Sequence, residues 1–348
     1  MTTTQPGHSS VAGPPTDTRA DAAQAPTGGW PTGTGSKATL VLGTIVVLGG
    51  VLLAVLGLAI TKPDVQLGER MRPIYVHVPT VSAAYLLFVV NAVGSAMWLW
   101  RKSRFWDQLA AAAAEVGLVF LGLTLLTGAF WGRITWGVYW DWDARLTSTL
   151  VMFLAYLGYV ALRGSILDPT TRATRAAVLG LGSALLIPLV HKSVDWWRSY
   201  HQGSTLFGEL DPAMGGLQLF TLFLGLTVGT ALAAWLLIHR FRVGWLELQV
   251  EEGGLSEAID ARRAGRNQGD GRVSAMVAVQ QLRAVLATPQ ITADDPWPLI
   301  WVAWVVTFGT FAVYAFVLVR RGRRLSRQVP GERRRFLIGD GQDGGTHG

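Results

Sequence analysis

Long apolar runs separated by short polar or basic stretches set the pattern of the chain, at about 38–60, 77–100, 108–130, 146–163, 174–191, 215–238 and 297–319. Each is close to the roughly 20 residues that a helix needs to cross a bilayer. Backbone polar groups in lipid must be bonded within the chain, so runs of this kind predict helices. The runs are continuous rather than alternating, which excludes an outer-membrane barrel. The expected fold is all-α: a polytopic helical membrane protein with a six-helix core over 37–242 and one additional C-terminal transmembrane helix over 296–320. Pro188 predicts a kink near the end of the fifth span.

The remaining segments read differently. Residues 1–36 are rich in Pro, Gly, Thr and Ala and predict a disordered tail. The first apolar run starts near Thr39 and is too long for the core of a cleavable signal, so none is expected. Residues 243–295 mix acidic, basic and Gly-rich patches and predict a soluble linker, with a weakly amphipathic piece near 274–288. Residues 321–348 form a basic and then polar tail.

Composition sharpens this picture. Half of the 348 residues are hydrophobic and only 15% are charged, well below a soluble domain. There is no cysteine, which removes disulfides, thiolate metal sites and any Cys-x-x-Cys-His haem attachment. The net charge of +7 comes from basic residues at span ends, so it speaks to orientation in a bilayer and not to nucleic acid.

Span parity gives the main inference. The connectors after spans one, three and five share one face, and they carry His77, the stretch 131–145, and the stretch from His191 to His201. The compact basic loops 101–107 and 163–175, with Arg240 and Arg242, occupy the other face and are expected to be cytoplasmic. The His- and Trp-bearing face is then extracytoplasmic, although it also holds Arg133, Arg145 and Lys192. Parity and charge conflict at the end. A seventh span leaving the basic face would put the Arg320–Arg327 cluster outside, whereas the charge rule wants it inside. Either a further crossing or re-entrant segment lies within 250–295, or the parity count fails at one span, or the charge rule is violated.

The stretch Trp131-Gly-Arg-Ile-Thr-Trp136-Gly-Val-Tyr-Trp140-Asp141-Trp142-Asp143-Ala-Arg145 is the chemical centre of the sequence. Interfacial aromatic belts explain Trp98, Trp100, Trp235 or Trp301. They explain poorly a run interleaved with Gly and Asp. Flat indoles give apolar area with an edge donor, which suits a porphyrin face. His77 and His201, flanking this run, are the candidate axial ligands of haem iron; the competing reading is interfacial histidines bonded to backbone. His191 is a third candidate, with a structural alternative. Arg145 pairs either with a haem propionate or with Asp141 or Asp143. Asp143 either caps the fourth span or orients a Trp or His. His239, on the opposite face, anchors a span end.

With these residues in place, the chain resembles the cytochrome c maturation protein C family, the haem exporter C proteins. The resemblance rests on Trp136-Gly-Val-Tyr-Trp140-Asp-Trp142-Asp143-Ala-Arg145-Leu-Thr147-Ser, which looks like the tryptophan-rich "WWD" signature. It rests also on Tyr75-Val-His77-Val-Pro79, His191-Lys-Ser-Val-Asp195-Trp196-Trp197, His201-Gln202-Gly203-Ser204-Thr205 and Asp211-Pro212-Ala213-Met214. Together these cover about 38–242. Thr149 departs from the acidic residue expected after Thr-Ser.

The resemblance implies non-covalent, bis-His ligated haem b held by His77 and His201, with Trp131, Trp136, Trp140, Trp142, Asp143 and Arg145 around it. It implies an inner-membrane location and no enzymatic step of the protein's own. The implied partners are a haem chaperone of the cytochrome c maturation E type and the subunits of an ABC transporter (A and B types). The last span is similar to the small D-type partner, suggesting a fusion. Three alternatives stay open: a cytochrome c synthase subunit of the other assembly route, in which Pro-Lys-Glu should replace Ala144-Arg145-Leu146; a b-type haem redox protein, which needs histidines in mid-span; and a structural scaffold with an aromatic belt, which would bind no haem.

Overall fold

A computed structural model describes residues 33–197, 199, 201, 214–263 and 295–329, with side chains in the long penultimate helix described as far as residue 251. The tail 1–32, the amphipathic piece near 274–288, Gln202–Thr205, Asp211–Ala213 and the end of the chain lie outside these residues. The described elements are helical: α1 (Lys37–Val55), α2 (Ile74–Arg101), α3 (Arg104–Trp136), α4 (Ala144–Ser165), α5 (Pro169–Ala184), α6 (Leu186–Trp196), α7 (Gly216–Arg263) and α8 (Trp297–Ser326). α5 and α6 together make one crossing, which gives seven helical segments long and apolar enough to span a membrane. The protein is a multi-pass membrane protein.

Local chemistry sets the boundaries. Ser36 and Thr39 form a reciprocal cap on α1. Lys102 takes a left-handed conformation and turns α2 into α3 within two residues. Asp168, followed by Pro169, starts α5. Pro188 cannot donate to the carbonyl four residues earlier, Ala184, and the helix breaks at Leu185 as that missing bond requires.

α3 is the central post, and its run Ala110–Ala114 is almost fully buried. Two forked ion pairs tie it to neighbours at the basic end: Arg163 of α4 to Asp107 (2.5 and 3.0 Å), and Arg240 of α7 to Glu115 (2.6 and 2.7 Å). At the other end α7 presses on α2. Pro79 frees the carbonyl of Tyr75, and Gly225 and Gly229 of α7 pack there. A Cβ on Gly225 would stand 2.7 Å from that oxygen, and one on Gly229 3.1 Å from the Pro79 Cβ. The small-xxx-small spacing permits this approach.

Several boundaries differ from the sequence reading, among them α8, which runs to Ser326 and so into the tail assigned to 321–348. Residues 33–36 belong to the fold and not to a tail: the Thr34 hydroxyl bonds His239 Nδ1 at 2.6 Å. α7 does not end at His239-Arg240 but runs to Arg263, so the linker assigned to 243–295 begins as helix, with Val243 and Leu246 buried. The apolar run stops at Arg240, but the Glu115 partner keeps that charge inside the bundle. The Trp stretch is only partly a loop, because α3 continues through Trp136 and ends on Gly137 with φ +81°, leaving 137–143 non-helical.

α8 runs parallel to α7. Its first turn lies at the Trp end, where Arg72 sits over the Trp297 ring at 5.2 Å. Its last turns lie at the basic end, where Arg321 pairs with Glu247 at 2.7 Å and Gly322 meets Thr34. The Arg cluster therefore shares a face with the basic loops. The chain leaves α7 at one face and enters α8 at the other, and the intervening 264–294 lie outside the described residues.

Candidate functional site

Six of the eight residues singled out from the sequence meet at the Trp end. His77 occupies the first turn of α2, and its Nδ1 lies 2.9 Å from the Thr127 hydroxyl of α3. That hydroxyl also donates to the Leu123 carbonyl at 2.8 Å. Its one proton is thus engaged, so it accepts from His77 Nδ1–H, and Nε2 keeps its lone pair. Gly128 makes room for the ring: a Cβ there would lie 3.0 Å from His77 Cε1.

His201 is prepared in the same sense by a different group. Its Nδ1 lies 3.1 Å from Asp143 Oδ2. A carboxylate accepts only, so Nδ1 carries the proton and Nε2 again holds the lone pair. Asp143 is 5% exposed, and the same oxygen receives the Arg145 and Leu146 amides at the start of α4. It therefore caps α4 and orients a histidine together. Burial holds the His201 imidazole below its usual value, against the raising pull of Asp143, with Arg145 adding to the fall.

The end of α3 supplies an indole to each imidazole. Trp131 meets His77 edge-on at 5.5 Å between ring centres, and Trp136 meets His201 at 4.9 Å. The two imidazoles lie within electrostatic reach of one another, and Arg145 within reach of both. Arg145 Nη2 donates to the His191 carbonyl at 3.3 Å, while the His191 ring is exposed. Trp131 Nε1 and Thr147 Oγ1 are buried at this end without a hydrogen-bond partner.

Trp140 and Trp142 stand apart. They pack edge-to-face on each other at 5.8 Å, Trp142 is 75% exposed, and neither makes a ring contact with an imidazole. Asp141 turns back on the Trp142 amide. Thr149 is buried with its hydroxyl bonded to the Arg145 carbonyl at 2.6 Å. His239 is buried beside Trp235 at the opposite end, inside α7 and not at its terminus. Thr127, Gly128 and Tyr85, the last within electrostatic reach of Arg145, were not singled out from the sequence. Thr127 and Gly128 lie four and three residues before Trp131, so the helical face of that Trp was the available signal.

The described residues thus form a helical multi-pass membrane protein that gathers two imidazoles and two indoles at one end of its bundle. The chain matches the family described as heme exporter protein C over residues 31–254. It is 40% identical over 177 residues to heme exporter protein C of Bradyrhizobium diazoefficiens, covering 50% of this chain and 65% of that protein. It is 35% identical over 208 residues to the Haemophilus influenzae protein of the same name, covering 59% and 82%, and 37% identical over 159 residues to that of Escherichia coli, covering 45% and 65%. The chain thus spans just under two thirds of the Bradyrhizobium and Escherichia relatives. It belongs to the heme exporter protein C family.

Proposed function

We propose that the protein binds haem b non-covalently between His77 and His201 at the extracytoplasmic face of the inner membrane and passes it to a membrane-anchored haem chaperone of the cytochrome c maturation E type. Haem is cargo here. The chain's part is to bind and orient it by ligand exchange, with no nucleophile of its own and no enzymatic turnover.

What supports this reading is the matched preparation of the two imidazoles, each with Nδ1–H engaged and Nε2 available. Ligating histidines are characteristically oriented through their second nitrogen in this way. Among the described residues no group of three or more His, Asp or Glu side chains could hold a bare ion. Two axial imidazoles suit a metal whose equatorial positions are filled by a macrocycle. Trp131 and Trp136 would flank the ring. Arg145 would meet a propionate, and the partnerless Trp131 Nε1 is a second donor at the same place. Trp140 and Trp142, on the rim, would cover the outer edge of the ring or meet the acceptor. An ABC transporter of A- and B-type subunits is the proposed companion. α8 would stand in for the small D-type partner, since it packs Trp304 against Gly57 and Phe311 against Phe120.

The test is absorbance spectroscopy of the detergent-purified protein. Wild type should retain haem with a low-spin bis-imidazole spectrum. His77→Ala and His201→Ala should each lose most of the Soret band and fail to load the acceptor. Unchanged spectra in both variants would remove the two residues as ligands.

A further inference from the structure

At the end of the bundle opposite His77 and His201, a cleft of about 670 Å³ opens between α7 and α8. Its apolar wall is Trp235 of α7 with Phe316 and Val319 of α8. Trp235 is fixed, since its Nε1 donates to the Thr39 carbonyl at 2.9 Å. Phe316 is 63% exposed and lies one helical turn before Arg320, on the span side of the arginines. The polar wall is made of Arg320, Arg323, Arg324 and Arg327. Their spacing of three, four and seven residues puts all four on one face of α8, over about 10 Å of helix axis. The intervening Arg321 turns away to Glu247. Among the described residues no carboxylate pairs with the four cleft arginines.

Four guanidinium groups sharing one face repel each other, and they stand at the end of a membrane span beside an apolar trough. We propose that this cleft binds an anionic phospholipid of the leaflet at the basic face. The phosphate sits among Arg320, Arg323, Arg324 and Arg327, and an acyl chain lies along Trp235, Phe316 and Val319. Guanidinium forks match phosphate oxygens in bidentate fashion. Arginine clusters at a span end attract anionic lipid over zwitterionic lipid. Haem is also an amphipathic anion, but no His, Met or Tyr is among the residues lining the cleft, so iron would find no axial ligand there. The site is independent of the proposal for His77 and His201.

The experiment uses the full chain in detergent micelles, titrated with phosphatidylglycerol or phosphatidylcholine brominated on one acyl chain. Tryptophan quenching is read as the difference between wild type and Trp235→Phe. Brominated phosphatidylglycerol should quench the Trp235 component saturably, and phosphatidylcholine should not. Arg323→Gln and Arg324→Gln should each weaken the apparent affinity roughly fivefold, with the lysine variants falling between. Equal quenching by the two lipids overturns the proposal, as does affinity unchanged in well-folded glutamine variants. Displacement by inorganic phosphate at matched concentration assigns the site to free phosphate and overturns the lipid reading. The comparison of the two lipids is made on unaltered arginines, so it decides even if the glutamine variants fail to fold.

Discussion

At His77 the ring proton is held by a hydroxyl, at His201 by a carboxylate, and the difference sets how each responds to change. The His201 imidazole is held below the usual 6.5 by burial. A neutral, depressed histidine contributes stability that is complete above its unfolded value and is lost as pH falls through the lowered folded value. Haem retention should therefore persist at pH 6.5 and fail only under more acidic conditions, which a pH titration of the Soret band measures. Asp143→Asn removes the influence that raises this value, so its acid limb should move to lower pH. At pH 7 the same variant should bind haem about 10- to 100-fold more weakly, because the orienting partner is gone. An acid limb left in place would show that Asp143 does not act on His201. Gly128→Val places a branched side chain against His77 Cε1 and should lower haem retention without touching a ligand. The residues with recognisable chemistry, His77, His201, Asp143 and Arg145, were legible from type and position. Thr127 and Gly128 were not, because a threonine and a glycine in an apolar helix look like ordinary packing residues until the opposing ring is known.

Among the elements, the contact of α2 with α7 matters most for the site. Pro79 removes one hydrogen bond, the freed Tyr75 carbonyl faces Gly225, and His77 lies two residues beyond. Gly225→Leu should force these helices apart and destabilise the bundle by about 1–3 kcal/mol, read as a lower unfolding temperature in detergent. Haem loss should accompany it, because the first turn of α2 moves. A variant of wild-type stability and haem content would show that the contact is loose. The apolar runs located each crossing, and Pro188 located the kink, since these follow from composition and from a missing donor. Helix ends were less legible. α3 overran its apolar run through Trp136 because Gly132 and Gly137 let the last turn close under the indoles, and α7 overran Arg240 because Glu115 receives that charge. The first turns on the conformation of a glycine beyond the apolar run, and the second on a partner distant in sequence.

For the molecule as a whole, parity brought the histidines and tryptophans to one face, and the structure places them there. Parity also set the direction of the last span against the charge rule. The parallel course of α8 beside α7 puts Arg320–Arg327 with the basic loops, a result fixed by packing of Trp297 near Arg72 and of Gly322 on Thr34. The chain is naturally free of cysteine, so single cysteines report sidedness directly. Leu167→Cys and Arg327→Cys should label from one side of sealed vesicles, and Val138→Cys from the other. Labelling of Arg327→Cys together with Val138→Cys would reverse the direction of α8.

The two forks on α3, Arg163–Asp107 and Arg240–Glu115, fasten α4 and α7 at the basic end, and the Asp143 cap stands at the far end of α4. α4 is about 33 Å long, so a tilt of about 3° about its basic end displaces its far end by about 1.7 Å. That is enough to carry the Asp143 carboxylate out of bonding range of His201 while the forks stay closed. A tilt of that size would loosen His201 and leave His77 on α2 in place.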